Sequence, residues 1–139
     1  MFSGGSGPWE SDPNADAWWG DDPPFHHPVF VLTHHEREPV EKEGGTTFTF
    51  VTDGIQSALD QAREAARGKD VQVAGGAETA QQYLAPGLLD EIQLHVVPVI
   101  LGGGARLLDN LGVEPPRLEC TRVQESPSGV AHVRYRVLR

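Results

Sequence analysis

Residues 70–84 read DVQVAGGAETAQQYL, and the glycine pair at their centre marks a change of pattern. The β-branched run at residues 71–74 predicts a strand, and the residues after the pair predict a helix closed by Pro86 and Gly87. At such a turn, glycines let a ligand approach the backbone, and the free N–H groups of the helix start favour a phosphate. The turn indicates a nucleotide cofactor. A tight turn without a ligand is the alternative, because the full Gly-x-Gly-x-x-Gly fingerprint is missing.

Strand and helix patterns alternate on both sides of this stretch. A capping box from Asp53 to Gln56 predicts the start of a helix that Gly68 ends. Two consecutive βαβ units predict an α/β fold, a mixed, mostly parallel sheet flanked by helices with a C-terminal antiparallel hairpin at its edge. The strands are predicted at residues 29–33, 47–51, 71–74, 91–100, 118–123 and 130–137.

Residues 1–27 show no period of two or 3.6, so we predict an irregular Trp-, Pro- and Gly-rich segment before an α/β domain at residues 28–139. Its tryptophans, Trp9, Trp18 and Trp19, are expected to pack on the domain or on a partner. Each would otherwise expose a large apolar face.

Composition excludes several classes of function. Twenty acidic and eleven basic residues give the 139-residue chain a net charge of −9, and no basic cluster indicates binding to nucleic acid or to an anionic membrane. The longest apolar run, residues 96–101, is too short to cross a bilayer. The single cysteine, Cys120, excludes an internal disulfide and is predicted to be a buried structural thiol. These features suit a cytoplasmic protein.

The six histidines do not predict a metal site. The pairs His26-His27 and His34-His35 are sequence neighbours, which point to opposite sides of an extended chain. No His-Glu-x-x-His or Cys-x-x-Cys motif accompanies them. His95 is predicted to be a hydrogen-bonded core residue, and His132 is predicted to lie on a solvated face.

Six short motifs then follow one another along the chain. They are DPPF at 22–25, PVFVLTH at 28–34, GGTTF at 44–48, VAGGA at 73–77, GLLDEI at 87–92 and PVILGGG at 98–104. Together they resemble the dihydrofolate-reductase-like family, and most of all the branch that includes the C-terminal reductase domain of the bifunctional riboflavin-biosynthesis deaminase-reductase. The resemblance extends from about residue 9 onward.

The resemblance implies an NADPH-dependent reductase of a pteridine- or pyrimidine-type heterocycle, and the family habit implies a homodimer. In the family, the Gly-Gly turn receives the cofactor pyrophosphate. This role maps onto Gly75 and Gly76, with Ala77, Glu78 and Thr79 opening the helix.

The loop after the first predicted strand resembles the segment that meets the adenosine 2′-phosphate, with Thr33, His34 and Arg37 as candidates. Arg37 has the planar fork that clamps a phosphate, although a loop arginine without that role is the alternative. The loop Leu101-Gly102-Gly103-Gly104 is implied to lie beside the nicotinamide and substrate cleft. A plain strand-ending turn is the alternative there.

The resemblance also implies an N-terminally truncated fold. The family begins with a strand and helix that line the substrate pocket, and Met1-Phe2 resembles the end of that helix. The region expected to supply substrate contacts and any proton donor then lies outside the sequence, so no catalytic residue is assigned. A nucleotide-binding or self-associating protein, or a truncated fragment, without catalytic turnover is therefore the alternative function.

Overall fold

The computed structural model describes residues 2–3, by their backbone, and residues 19–139. The chain divides into two compact units, Met1–Thr79 and Ala80–Arg139. The elements in chain order are β1 (Phe2–Ser3), β2 (Pro28–Leu32), β3 (Val40–Glu41), a 3₁₀ turn (Glu43–Gly45), β4 (Thr47–Val51), α1 (Ile55–Ala66), α2 (Ala77–Leu84), β5 (Glu91–Val96), β6 (Arg117–Glu125) and β7 (Ala131–Leu138).

The sheet of the first unit has the strand order β1-β2-β4-β3. β2 runs parallel to both β1 and β4, whereas β3 is antiparallel to β4. The register sets Val29 opposite Phe48 and Val31 opposite Phe50, which places all four side chains on one face. Val29, Val31 and Phe48 form a buried cluster there. Each such side chain stabilises the fold by about 1.5–3 kcal/mol through burial.

Helix α1 packs against β2 through a narrow apolar stripe. Ala58, Leu59 and Ala62 are buried, as expected for side chains one helical turn apart on one face. The helix agrees with the sequence prediction in position but not in its start. Its N-cap is Gly54, with no side-chain cap, so the predicted capping box from Asp53 to Gln56 is wrong.

The N-terminal segment is less irregular than predicted. Phe2 and Ser3 pair with β2, so the interpretation of Phe2 as the end of a helix is wrong. The ring of Trp19 contacts Phe25 edge to face at 5.1 Å, and Phe25 contacts Phe48 in the same way at 6.2 Å. Trp19 therefore packs on the domain, as expected. Trp9 and Trp18 lie outside the described residues.

The predicted third strand does not form. Residues 71–74 belong to no sheet in the described part of the chain, and β5 pairs antiparallel with β7. The two consecutive βαβ units and the single, mostly parallel sheet are therefore wrong. The sequence pattern records β-branching and hydrophobicity, but a strand also needs a neighbour that satisfies its backbone N–H and C=O groups.

The sheet of the second unit is antiparallel, in the order β5-β7-β6. It contains the predicted C-terminal hairpin, whose turn is closed by a 3.0 Å hydrogen bond from the N–H of Ser126 to the carbonyl of Val130. An irregularity lies between Cys120 and Arg122 on β6. Cys120 is exposed, so its prediction as a buried thiol is wrong.

Tyr83, Leu84 and Val137 are the buried apolar side chains of the second unit. Buried Gln81 contacts the loop at residues 106–110, since its Nε2 donates to the carbonyl of Arg106 at 2.6 Å. No helix in the described part of the chain is long and apolar enough to cross a membrane.

Candidate functional site

The Gly75-Gly76 turn leads directly into α2, which begins at Ala77. The peptide bond between the two glycines is cis. Gly75 has φ +133°, a conformation that L side chains rarely adopt, and a Cβ built on it would meet nothing within 4 Å. The Cβ position of Gly75, two residues before α2, therefore faces open space, as a close approach by a ligand requires.

The first turn of α2 carries the three other residues of the predicted phosphate site. Thr79 is buried, Ala77 is half-buried and Glu78 is exposed. The free N–H groups of a helix start favour an anion, and the carboxylate of Glu78 interacts favourably with the same positive end of the helix. Because Glu78 is solvated, water and salt screen its repulsion of a bound phosphate.

Thr33 follows β2 at its carboxyl end and continues the pairing with β4. Its N–H donates to the carbonyl of Val51 at 3.1 Å. Its Oγ1 accepts a 3.1 Å hydrogen bond from the N–H of His35, which turns the chain away from the sheet. The side chain of His34 is exposed in this turn. Ligands of parallel α/β sheets bind beyond this end of the strands.

Arg37 packs on an aromatic ring of the neighbouring strand. Its Cζ lies 5.4 Å from the ring centroid of Phe50 on β4, within the range of a cation–π interaction. The side chain is half-buried, and its Nη1 is shielded from solvent. Phe50 precedes the last residue of β4, so the stacking keeps the positive charge near the carboxyl ends of β2 and β4. The sequence prediction did not include Phe50, and only the fold pairs these two side chains.

The glycine loop at residues 101–104 belongs to the second unit and is described by itself. β5 ends at Val96, four residues before the end of the predicted strand, and the N–H of Val99 donates to the carbonyl of Val97 at 2.8 Å. Leu101 is 85% exposed. Gly102 and Gly104 have φ +73° and +140°, and a Cβ on any glycine of this loop would meet nothing within 4 Å.

The first unit thus contains both predicted parts of the cofactor site, the loop with Thr33, His34 and Arg37 and the turn from Gly75 to Thr79. Burial raises the pKa of Tyr83, on α2, to about 12. That phenol holds its proton too tightly to serve as an acid near neutral pH. Among residues 19–139, the structure adds no candidate for a proton donor to the sequence prediction.

A family model described as the RibD C-terminal domain matches residues 9–132. The uncharacterized protein YyaP of Bacillus subtilis is 26% identical over 119 residues, which cover 83% of this chain and 62% of that protein. The uncharacterized protein YwjB of the same organism is 30% identical over 63 residues, which cover 45% of this chain and 36% of YwjB. The chain therefore spans less than two thirds of the length of either relative.

Two solved structures resemble the chain. A putative riboflavin biosynthesis protein from Shewanella sp. PV-4 superimposes with a TM-score of 0.62 at 24% identity, over 84% of this chain and 63% of that one. A pyrimidine reductase-like protein from Corynebacterium diphtheriae gives a TM-score of 0.54 at 21% identity, over 79% and 50% of the two chains. At these identities the likeness is one of fold.

Proposed function

We propose that this chain, which belongs to the RibD C-terminal domain family, binds NADPH and reduces a pteridine- or pyrimidine-type heterocycle. The observation that carries the proposal is the open Gly75-Gly76 turn at the start of α2. Hydride transfer requires the nicotinamide to be held against the acceptor, and the cofactor itself supplies the reducing chemistry. The protein therefore has to provide a phosphate site, a binding surface for the acceptor and exclusion of water.

In this proposal the cofactor pyrophosphate lies on the Gly75-Gly76 turn. The backbone N–H groups at the start of α2 donate to it, and the absence of a β-carbon on the glycines permits the short approach. Arg37 meets the adenosine 2′-phosphate, held in place by Phe50. The hydroxyl of Thr33, which accepts from the N–H of His35, is proposed to contact a phosphate oxygen. The loop at residues 101–104 is proposed to lie beside the nicotinamide and the acceptor.

Arg37→Ala tests the assignment to the 2′-phosphate. A charge-assisted hydrogen bond contributes about 1.5–3 kcal/mol, so we expect NADPH affinity to fall roughly 10- to 100-fold and NADH affinity to change little. Titrations followed by tryptophan fluorescence give both constants. Arg106→Ala is the matched control, because the side chain of Arg106 is exposed in the second unit and lies 4.0 Å from the carboxylate of Asp109. Equal losses for the two cofactors would contradict the role of Arg37.

Gly76→Val tests the pyrophosphate site. We expect the variant to lose cofactor binding while its circular dichroism spectrum stays that of the wild type, because the added side chain obstructs the approach to the turn. Unchanged NADPH affinity in a folded variant would remove the turn from consideration.

Binding without turnover is the second candidate function. The chain spans 62% of the length of its relative YyaP, and none of its residues is assigned as a proton donor. Absorbance at 340 nm, followed with pteridine and pyrimidine acceptors, separates the two. Oxidation of NADPH that depends on the acceptor supports the reductase, and saturable binding without oxidation supports a nucleotide-binding protein.

We also propose that two copies associate through the apolar run after β5. Ile100 is 97% exposed, and its neighbours Val99 and Leu101 are 64% and 85% exposed. A continuous exposed apolar surface of this kind is typical of an interaction site. Sedimentation is expected to give a dimer for the wild type and a monomer for Ile100→Glu. A monomeric wild type would refute the homodimer without bearing on NADPH binding.

A further inference from the structure

Two histidines meet on the solvent side of the second sheet. His95 on β5 lies opposite His132 on β7 in the strand register, and their Nδ1 atoms are 2.6 Å apart. The rings cross at 72° with centroids 4.8 Å apart. His95 is exposed, so its prediction as a core residue is wrong. The pairing of β5 with β7 brings the two residues into contact, although they are 37 positions apart in sequence.

The short contact is an N–H···N hydrogen bond, in which one imidazole donates and the other accepts. The donor ring can carry its proton on Nε2 instead. In that tautomer the two Nδ1 lone pairs face each other, and turning both rings directs the two lone pairs toward one point. Neutral imidazoles whose lone pairs converge in this way form a chelating pair for a transition metal.

We propose that His95 and His132 form a two-imidazole site for a late first-row divalent metal ion, and that it binds Cu²⁺ most tightly. Metal–imidazole bonds are about 2.0–2.1 Å long, which puts two nitrogens in adjacent coordination positions about 2.9–3.3 Å apart. The observed 2.6 Å needs to widen by a few tenths of an ångström, and both rings, which lie at the surface, have to rotate to reach this geometry. The tetragonal preference of Cu²⁺ fits the shorter end of this range.

The surroundings leave the remaining coordination positions to water. No group of three or more His, Cys, Asp or Glu side chains converges in the described part of the chain, so the protein donors are the two imidazoles. A recess of about 310 Å³ beside His132 gives room for water ligands. Gln124 on β6 lies opposite His132, and its Oε1 accepts from Arg122.

The charges around the pair determine which metals bind. Arg122, Arg134 and the acidic Glu125 line the same recess, and Glu91 lies 3.9 Å from Arg134 as its ion-pair partner. This setting offers a cation no net electrostatic attraction, so nitrogen ligation must supply the affinity. Hard cations that prefer oxygen ligands, such as Mg²⁺, are therefore excluded. A bound metal bridges β5 and β7 and resists their separation.

Calorimetric titration of the untagged full chain with CuCl₂, ZnCl₂ and MgCl₂ tests the site. We expect one Cu²⁺ per chain, weaker binding of Zn²⁺, no binding of Mg²⁺, and a higher melting temperature with Cu²⁺. Loss of either imidazole removes the chelate, so His95→Gln and His132→Gln should each weaken Cu²⁺ binding roughly 100-fold. His27→Gln is the control, because its Nδ1 contacts the carbonyl of Pro28 on another sheet.

Wild-type affinity in either glutamine variant, or an equal loss in the control, would overturn the proposal. So would a wild type that fails to saturate with Cu²⁺ at millimolar concentration. NMR of the wild type provides a test that needs no substitution. Substoichiometric Cu²⁺ should broaden the ring C–H signals of His95 and His132 before those of the other histidines, and uniform broadening of all six would count against the site.

Discussion

Tyr83 makes the stability of the chain fall in strongly alkaline solution. Its side chain is fully buried on α2, and burial raises its pKa from the ordinary 10.0 to about 12. The native state therefore keeps a proton that the unfolded state gives up, so the stability present below pH 10 is lost as the pH rises through 12. At about 1.4 kcal/mol per tenfold change in proton affinity, the loss at pH 12, where the native phenol is half ionised, is about 2 kcal/mol.

Urea unfolding followed by far-UV circular dichroism, at four pH values from 9 to 12, measures this loss. Between pH 9 and pH 12, we expect the free energy of unfolding of the wild type to fall by about 2 kcal/mol more than that of Tyr83→Phe. Tyr135→Phe is the matched control, because it removes the other phenol of the chain and leaves Tyr83 in place. Wild type and Tyr83→Phe curves that fall in parallel from pH 10 to 12 would refute the reasoning.

Two further predictions concern backbone space and a buried amide. Gly44 and Gly20 share φ +71°, but a Cβ on Gly44 would lie 2.6 Å from Nδ1 of His26, whereas one on Gly20 meets nothing within 4 Å. The added Cβ displaces the exposed ring of His26 from its hydrogen bond with the carbonyl of Gly44. Chemical denaturation should therefore show Gly44→Ala to be less stable than Gly20→Ala by about 0.5–1.5 kcal/mol, and equal stabilities would contradict the close contact. Gln81 is buried and donates to the carbonyls of Arg106 and Leu107. Gln81→Leu should cost about 1–3 kcal/mol and speed amide hydrogen exchange at residues 106–110, whereas unchanged exchange there would show that the amide does not hold the loop.

Helix α1 and the C-terminal hairpin were predicted correctly because each is encoded within one segment of sequence. The apolar stripe of α1 and the alternation of the C-terminal hairpin lie within single segments, so the sequence predicts them. The strand at residues 71–74 and the parallel arrangement of β5 depended on neighbours that periodicity does not identify. The irregularity after Cys120 in β6 is likewise not predicted by the period-two pattern of the strand. It places Cys120 and Val123 on one face of β6 although they are three residues apart, because their register partners Tyr135 and Val133 are two apart.

The candidate site also has one part that the sequence predicts and another that only the structure shows. The Gly75-Gly76 turn was predicted because a glycine pair before a helix is a local signal, and the structure confirms that α2 starts there. The stacking of Arg37 on Phe50 joins a loop residue to β4, and the contact of His95 with His132 joins two strands. Neither follows from spacing, since each depends on a strand register that only the folded chain defines.

The two units of the chain differ in the aromatic side chains that the structure describes. Trp19 belongs to the first unit, and both tyrosines, Tyr83 and Tyr135, belong to the second. Emission of Trp19 excited at 295 nm therefore reports on the unit with the proposed cofactor turn, and tyrosine absorbance reports on the unit with the histidine pair. One thermal melt of one sample can thus follow each unit by its own signal.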